Sequence, residues 1–528
     1  MNVHLFFSNI HSYKKHVLWG LIWICFSSVS FAQVPEDVLR FSWNPQNGTA
    51  RNMAIGGVMG SLGGDITAAF VNPAGIGFFK TNEFVFTPGM SFIQNEALYR
   101  DKNNNSKKNH FHLGPSGIIW GFPSSEQPKN SNAISLAFTQ TANYNNQFNY
   151  SGLNNYSSFS EQFAEEFAKS YLSINDVLNT NSPLPYTAAP ALYTYLMDTV
   201  TINGVTQVKT APEFLLDSGI ALLQEMKKST RGGLYEFAFT YAANIKDKLM
   251  YGITIGIPIV NYRSTTNFTE SDISGDTSNG FQSFNYIDNF KTSGAGFNAK
   301  MGIIFRPREY IRIGAAIHTP SIFSLSDTRT TELTTQLENP VNSSSVTSKN
   351  FTNNQPGISD YSLRTPWKFI ISGAYVFREV ENVKKQKGFI SADIEYVSHR
   401  ASRFSSTKEE PTQSEINYYN ELKGVIKNEY NRCFNFRVGG ELKFNVIMAR
   451  LGFAYYSNPY KDIAFKASQM LLSGGLGYRN NGFFIDVTYT YNVKKDVDLP
   501  YRLSDRANTF SSLNQRTANV ITTFGIKF

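Results

Sequence analysis

The side chains best suited to chemistry in this 528-residue chain are the four histidines beyond residue 32. His110 and His112 alternate, so on a strand they share one face and could both contact a metal ion. Zinc sites take three or four protein ligands, so two histidines alone favour a solvated pair at a rim. His318 and His399 could each act as a general base, but no Ser/His/Asp arrangement accompanies them. We predict no metal site, no catalytic residue and no enzymatic activity.

A glycine-rich stretch is the second candidate for chemistry. Gly56, Gly57, Gly60 and Gly63 could form a loop whose backbone N–H groups bind phosphate. In nucleotide-binding proteins such a loop joins a strand to a helix within a βαβ unit. The surrounding sequence predicts no such unit, so we expect no nucleotide and no other cofactor.

The composition is unusual for a water-soluble protein. Charged residues make up 17% of the chain, against roughly 25% in soluble proteins, and aromatic residues make up 14%. The mean hydropathy of -0.28 argues against a bundle of membrane helices. A transmembrane β-barrel satisfies both observations, because only alternate residues of its strands face lipid. The basic residues behind the net charge of +8 are scattered, so we expect no nucleic-acid partner.

The first 32 residues resemble an export signal. A basic stretch at 14–16 precedes an apolar run at 17–26, which is too short to span a bilayer. Ser30 and Ala32 occupy the two positions that a signal peptidase reads, and we expect cleavage before Gln33. One cysteine then remains, which excludes a disulfide scaffold.

Segments with strict apolar–polar alternation follow one another along the rest of the chain. Phe434, Phe436 and Val438, for example, alternate with Asn435 and Arg437. A period of two places the apolar set on one face of a strand, which in a membrane barrel is the lipid-facing side. About fourteen segments are predicted, an even number that suits a closed antiparallel barrel: 82–95, 110–122, 131–146, 233–245, 248–264, 288–306, 309–334, 358–378, 387–402, 430–445, 447–459, 468–479, 481–496 and 517–528.

The longest predicted connection, 147–232, is expected to be an extracellular loop that contains helices. Apolar residues recur at spacings of three and four in 157–178 and in 213–228. The two helices could pack together as a cap, or could form an apolar groove that captures ligands; the two interpretations are compatible. The candidate capture residues are Phe159, Phe163, Phe167, Leu215 and Leu222.

The chain ends on an alternating segment whose last residue is Phe528. A final strand with a C-terminal phenylalanine resembles the signal by which outer-membrane barrels are recognised by the barrel-assembly machinery. We therefore expect that machinery to be a partner.

Residues 34–80 do not follow the strand pattern and carry three motifs. They are ARNMAIGG at 50–57, GGDITAA at 63–69 and NPAG at 72–75. Their order and spacing resemble the N-terminal hatch of the FadL/TodX-type transporters of hydrophobic compounds, with Ile55 and Gly64 as departures. The predicted organisation is a signal peptide (1–32), a hatch or plug (33–80) and a barrel (81–528). The hatch residues that the resemblance implies for gating are Arg51, Gly56, Gly57, Asp65, Asn72, Pro73, Ala74 and Gly75.

The resemblance implies an all-β, fourteen-stranded outer-membrane barrel that transports hydrophobic molecules passively. Long-chain fatty acids and aromatic hydrocarbons are the expected ligand classes. Capture would occur at the extracellular loops, movement of the hatch would release the ligand, and a kinked strand would open a lateral window. Arg437 and Lys443 lie on one polar strand face and could bind a ligand carboxylate, but Glu441 between them favours a plain lumenal charge network.

Two other functions remain open from the sequence. One is an outer-membrane lipid-modifying enzyme that uses His318 or His399 as its base. The other is a structural or adhesive barrel through which nothing passes. In each case we expect a monomer in contact with outer-membrane lipid and lipopolysaccharide.

Overall fold

The computed structural model describes residues 37–338, 343–377 and 387–528. The predicted signal peptide and residues 33–36 of the predicted hatch lie outside the described residues. Within these ranges, fourteen long strands form the barrel, and six of them are interrupted by one to four residues. Their bounds are β1 Glu83–Phe86 and Pro88–Tyr99, β2 Lys102–Leu113 and Ser116–Pro123, β3 Ser131–Asn143 and Asn146–Asn154, β4 Leu222–Ile245, β5 Leu249–Asp272, β6 Ser283–Arg308, β7 Ile311–His318 and Ile322–Gln336, β8 Gly357–Arg364 and Lys368–Phe377, β9 Gly388–Ser398 and Arg403–Ser406, β10 Arg432–Phe444, β11 Ile447–Tyr456, β12 Ser468–Asn480, β13 Phe483–Asp498 and β14 Ser511–Lys527.

The strands form a closed ring. Each strand pairs antiparallel with the next one along the chain. The last strand also pairs with the first, with Lys527 opposite Glu83 and Ile521 opposite Gly89. The prediction of a fourteen-stranded antiparallel barrel is confirmed.

Outward-facing side chains form an apolar belt around the barrel. On β5, Ile253, Ile255 and Ile257 are 36–49% exposed, whereas the inward Met250 and Thr254 are fully buried. The same alternation runs along the neighbouring strands, so the exposed apolar surface is a continuous band. A band of that extent is stable in contact with lipid tails and unstable in water.

Three neighbouring strands are much longer than the sequence pattern predicts. β4, β5 and β6 contain 24, 24 and 26 residues, whereas about 9–11 suffice to cross a membrane. The predicted segments missed their outer ends because outward side chains there are polar, so apolar alternation stops. The predicted loop 147–232 is accordingly too long, since 147–154 belong to β3 and 222–232 to β4.

Helices occur inside the barrel and at its mouth. The 157–178 pattern corresponds to two short helices, but the helix predicted over 213–228 is wrong beyond Asp217. From Leu222 onward burial alternates with period two, as in a strand. The helices are α1 Asp37–Ser42, α2 Ala50–Ala54, α3 Ala68–Val71, α4 Glu161–Ser170, α5 Ile174–Val177, α6 Ala188–Tyr193, α7 Ala211–Asp217 and α8 Gln413–Glu429, with 3-10 turns at Pro73–Phe78, Ser348–Phe351 and His399–Ala401.

Three short strands accompany the loops. Met197–Ile202 and Val205–Thr210 form a hairpin, and Ser343–Thr347 pairs with the outer end of β7. α8 was not predicted; it begins with a capping box in which Thr412 and Glu415 bind each other's backbone N–H groups. Within the described ranges, no helix is both long and apolar enough to cross a membrane.

Candidate functional site

Residues 37–80, here called the lumenal segment, lie inside the barrel. Its polar backbone groups bond to inward side chains from opposite parts of the wall. The Ala50 N–H donates to Thr523 Oγ1 on β14 (2.7 Å), and Thr254 Oγ1 on β5 donates to the Ala69 carbonyl (2.9 Å). The Met59 N–H donates to Asp393 Oδ2 on β9 (3.0 Å). Contacts around the whole circumference fix the segment across the lumen.

Asn72 is the most connected residue of the segment. Its side-chain amide donates to the Gly60 carbonyl (2.6 Å) and to the wall carbonyls of Ile303 (3.2 Å) and Ala315 (3.3 Å). Its Oδ1 accepts from the Ala74 N–H (3.1 Å), which caps the 3-10 turn that begins at Pro73. One fully buried side chain therefore ties the lumenal segment to itself and to β6 and β7.

The glycines of the motifs occupy positions that a larger residue would strain. Gly56 and Gly57 have φ values of +72° and +79°, which L-residues with side chains rarely adopt. Gly75 has no such φ, but a Cβ there would lie 2.7 Å from the Leu62 carbonyl oxygen. The pattern of glycines reflects tight backbone packing within the lumen.

Five glycines of the barrel wall, here called the wall glycines, lie directly under the lumenal segment. A Cβ at Gly252 would approach the backbone of Pro73 to 2.6 Å. At Gly314 it would lie 2.0 Å from the Gly60 carbonyl oxygen. The segment therefore rests where the wall has no side chains. The wall glycines are Gly252, Gly302, Gly314, Gly439 and Gly452.

The two charged residues of the motifs stabilise the segment internally. Arg51 Nη1 donates to the Gly64 carbonyl (2.9 Å), and its Nε lies 3.5 Å from Glu441 on β10. Asp65 accepts from Thr49 Oγ1 (2.7 Å) and from the Thr67 N–H (2.9 Å). Arg51 thus links the segment to the wall, whereas Asp65 orders its turn.

A buried ion network lies on the wall beneath the segment. Asp393 accepts from the N–H groups of Met59 and Gly60 and lies 3.7 Å from Arg437 Nε. Arg437 is also 3.2 Å from Glu395. Arg437 was predicted from the sequence, but Asp393 was not. The only sign of Asp393 in the sequence is that its carboxylate occupies an inward position between two outward apolar residues.

A second arm of the network is centred on Arg450. Its guanidinium contacts Glu441 and Asp486, each at 2.6 Å. Lys443, the other predicted lumenal cation, lies at the turn end of β10, where its backbone N–H donates to the Lys387 carbonyl. Arg437 and Lys443 are therefore not brought together on one ligand.

A cavity of about 100 Å³ lies between part of the lumenal segment and inward residues of strands β3 to β9. Phe41 and Phe70 of the segment line one side. The wall contributes a buried ion pair between Lys300 and Glu236, and Lys368 at the start of the second part of β8. The volume is below the roughly 150 Å³ of an engineered cavity that binds benzene.

The wall is discontinuous between β2 and β3. A hydrogen-bonded ladder joins 116–123 of β2 to 131–138 of β3. No ladder joins 102–113 of β2 to 146–154, the outer part of β3. A bulge at 140–142 and a break at 144–145 turn β3 towards β4 at this point. Side chains bridge the gap, with Lys108 Nζ donating to the carbonyls of Asn146 (3.2 Å) and Thr230 (3.0 Å). Such contacts open more easily than a ladder.

The mouth of the barrel is covered by a packed aromatic group, here called the mouth cluster. Phe159 stacks on Phe268 of β5 with ring centroids 4.2 Å apart, and its N–H donates to Glu270 (3.0 Å). The cluster is therefore a packed, buried group and not an open groove. Its members are Phe159, Phe163, Phe268, Phe284, Tyr286 and Tyr501. The candidate capture residues Phe159, Phe163, Phe167, Leu215 and Leu222 are all at most 5% exposed.

Three of the four histidines beyond residue 32 are held by hydrogen-bond contacts. His112 Nδ1 contacts Ser91 Oγ (3.0 Å), and His318 Nε2 contacts the Val71 carbonyl (2.8 Å). His399 Nδ1 lies 2.9 Å from Ser42 Oγ, whose single proton is directed to the Val38 carbonyl. That histidine must then donate to the serine and cannot act as its base. Among the described residues, no group of three metal-ligating side chains is clustered.

Phe528 lies where the ring of strands closes, at the end of the barrel opposite the long loops. Its backbone exchanges two hydrogen bonds with Asn82 (3.1 and 3.2 Å), while 64% of the residue is exposed. The side chain therefore remains accessible at the point where the last strand meets the first.

The described geometry can be compared with known proteins. No protein-family model and no curated protein matches the sequence. A solved structure of the TodX monoaromatic hydrocarbon channel, deltaS2 mutant, is 11% identical with a TM-score of 0.50, covering 91% of this chain and 98% of that chain. A Pseudomonas aeruginosa FadL homologue is 12% identical and the Pseudomonas putida toluene transporter TodX 10%, each with a TM-score of 0.49 over 92% of this chain and 99% of theirs. The chain therefore has a FadL-type fold.

Proposed function

We propose that this protein carries hydrophobic small molecules passively across the bacterial outer membrane. The observation that carries the proposal is a lipid-facing barrel whose lumen is occupied by a separate segment resting on glycines. A structural barrel has no need of such a fit. The solved channel of similar fold that is named for monoaromatic hydrocarbons supports this class of ligand.

In this proposal the lumenal segment is the mobile hatch. It is held by hydrogen bonds, ion pairs and buried apolar contacts with the wall, and the cavity beside it is too small for a ligand. Displacement of the segment near Asn72 would enlarge that cavity towards the gap between β2 and β3. An apolar ligand gains about 25 cal/mol per Å² of surface buried, so it would leave through the gap into lipid without an energy source.

Capture at the mouth would require the mouth cluster to open. Phe159 and Phe163 would then offer the apolar surface that the closed cluster hides. Replacing both with Ser is expected to weaken uptake of an apolar tracer, and unchanged uptake would remove this part of the proposal. We also propose that the barrel-assembly machinery and outer-membrane lipid are partners of this protein and that it is a monomer.

A reversible cross-link tests the hatch directly. The hydroxyls of Ser61 in the lumenal segment and Ser372 on β8 are 2.8 Å apart, so cysteines at both positions are placed to form a disulfide. The matched control joins Thr334 and Ser345, also 2.8 Å apart, outside the lumen. Both pairs are made in a Cys433→Ser background.

Uptake of a fluorescent hydrocarbon and a fluorescent fatty acid is measured in proteoliposomes. We expect the oxidised Ser61→Cys/Ser372→Cys protein to lose uptake and to regain it on reduction, while the control pair is insensitive to redox state. Uptake that persists with the cross-link closed would contradict transport by hatch movement.

A further inference from the structure

Three basic side chains lie next to one another on the outer face of β4, β5 and β6. Arg263 on β5 is the direct register partner of Arg231 on β4 and of Lys291 on β6. All three are exposed, and all three point away from the lumen. We call this set the cation row.

The cation row is electrostatically unsatisfied. Like charges directly opposite each other on neighbouring strands destabilise a sheet. Within the described ranges, none of the three side chains forms an ion pair or a side-chain hydrogen bond, and the nearby Asp288 turns inward to Arg329 (2.8 Å). An external anion would relieve the repulsion.

Another outward-facing arginine of the barrel has its charge neutralised by an acidic neighbour. Arg516 on β14 lies four residues beyond Val520 of the apolar belt and pairs with Glu96 on β1 at 3.5 Å. Arg263 lies the same four residues beyond Ile259 of the belt. The two arginines therefore lie equally far along their strands from an apolar belt residue, and of the two only Arg516 has an acidic partner.

The height of the cation row identifies its surroundings. Four residues of strand span about 13 Å, which a tilt of about 45° reduces to roughly 9 Å above the last belt residue. Long basic side chains can extend back towards the membrane from there. The row faces the headgroup layer on the side of the long loops, opposite the chain end at Phe528.

The chemistry of the row fits phosphate. Each guanidinium presents a planar fork of donors that matches phosphate oxygens, and the ammonium adds a third charge. Outward hydroxyl and amide side chains of Ser229, Thr265 and Asn289 flank the row on the same face. We propose that the cation row binds the phosphate groups of outer-leaflet lipid headgroups and so holds one or more lipid molecules against β4–β6.

Lipid retention by the folded full-length mature barrel tests the proposal. Native mass spectrometry in a neutral detergent would count lipid A, which carries phosphates, and its dephosphorylated form on each protein. The test variant is Arg231→Gln/Arg263→Gln/Lys291→Gln, and the matched control is Arg516→Gln. Folding is checked by the faster migration of unboiled barrel in SDS gels.

We expect the unmodified protein and Arg516→Gln to retain lipid A and to bind the dephosphorylated form far more weakly. The triple variant should bind lipid A about 100-fold more weakly, the sum expected for three basic residues at an anionic surface. Equal retention by the triple variant overturns the proposal. So does displacement of lipid A by millimolar inorganic phosphate, which would indicate a free-phosphate site. Uptake in the cross-linking experiment is a separate readout.

Discussion

Adding one methyl group beneath the lumenal segment should loosen it without harming the barrel. In Gly314→Ala the new Cβ would lie 2.0 Å from the Gly60 carbonyl oxygen and 2.9 Å from Ser61 Cα. Both atoms belong to the backbone of the lumenal segment, so no flexible side chain can move aside. Because Cβ atoms do not approach other heavy atoms within about 3 Å, the segment must retreat by about 1 Å.

The magnitude follows from the bonds that this retreat breaks. The Gly60 carbonyl accepts from Asn72 at 2.6 Å, and the Gly60 N–H donates to Asp393 at 3.2 Å. A neutral hydrogen bond contributes about 1 kcal/mol and one to a charged group about 2 kcal/mol. Losing both costs about 3 kcal/mol, which raises the displaced fraction of the segment by roughly 100-fold.

The assay compares Gly314→Ala with Gly373→Ala on the adjacent strand. Gly373 is the register partner of Ile313, and a Cβ there meets nothing within 4 Å. In Gly314→Ala we expect faster proteolysis within residues 37–80 and higher single-channel conductance, with unchanged gel migration of the folded barrel. The control should behave like the unmodified protein. Identical protection and conductance in all three proteins would refute the argument.

Three further predictions concern the wall, the mouth and the chain end. Asp393→Ala leaves the Met59 and Gly60 N–H groups without their acceptor and should destabilise the lumenal segment by about 4 kcal/mol, measured as hydrogen exchange within residues 55–62. Burial raises the pKa of Glu161 in α4 to about 7 from its usual 4.5, despite the nearby Arg506. The protonated side chain therefore stabilises the folded loops at the barrel mouth at low pH, and this stabilisation is lost as pH rises from about 4.5 to 7. Exchange of loop amides, corrected for intrinsic rates, should therefore be slower at pH 5 than at pH 8, and Glu161→Gln should flatten the profile; a profile unchanged by Glu161→Gln would contradict this. Deleting Phe528 should lower the amount of folded barrel in the outer membrane at equal expression, and equal amounts would exclude a role in assembly.

The strand count was predictable because lipid imposes a simple pattern. Outward residues such as Ile253, Ile255 and Ile257 must be apolar, and inward ones need not be. Above the belt both faces of a strand meet water or protein, so the pattern ends before the strand does. The same reason explains why residues 222–228 were taken for a helix, since their apolar residues report packing in the mouth rather than contact with lipid.

Most of the contacts that position the lumenal segment could not be predicted. Gly314 and Gly373 look alike in the sequence, yet one lies under the segment and the other meets nothing. The local sequence around Asp393 and Arg450 likewise does not reveal that they contact Gly60 and Asp486, because these partners are distant in the chain. The motifs around Asn72 were identifiable since they fold locally, whereas the wall that receives them is assembled from ten or more strands.

The wall glycines make the lumenal segment and the barrel wall complementary to each other, so that neither can be exchanged alone. A fit defined by missing side chains tolerates change only when both surfaces change together, because any added carbon on one side collides with backbone on the other. A lumenal segment grafted from a channel of the same architecture but about 11% identity should therefore collide with this wall. It would not seat fully and would leave the lumen partly open.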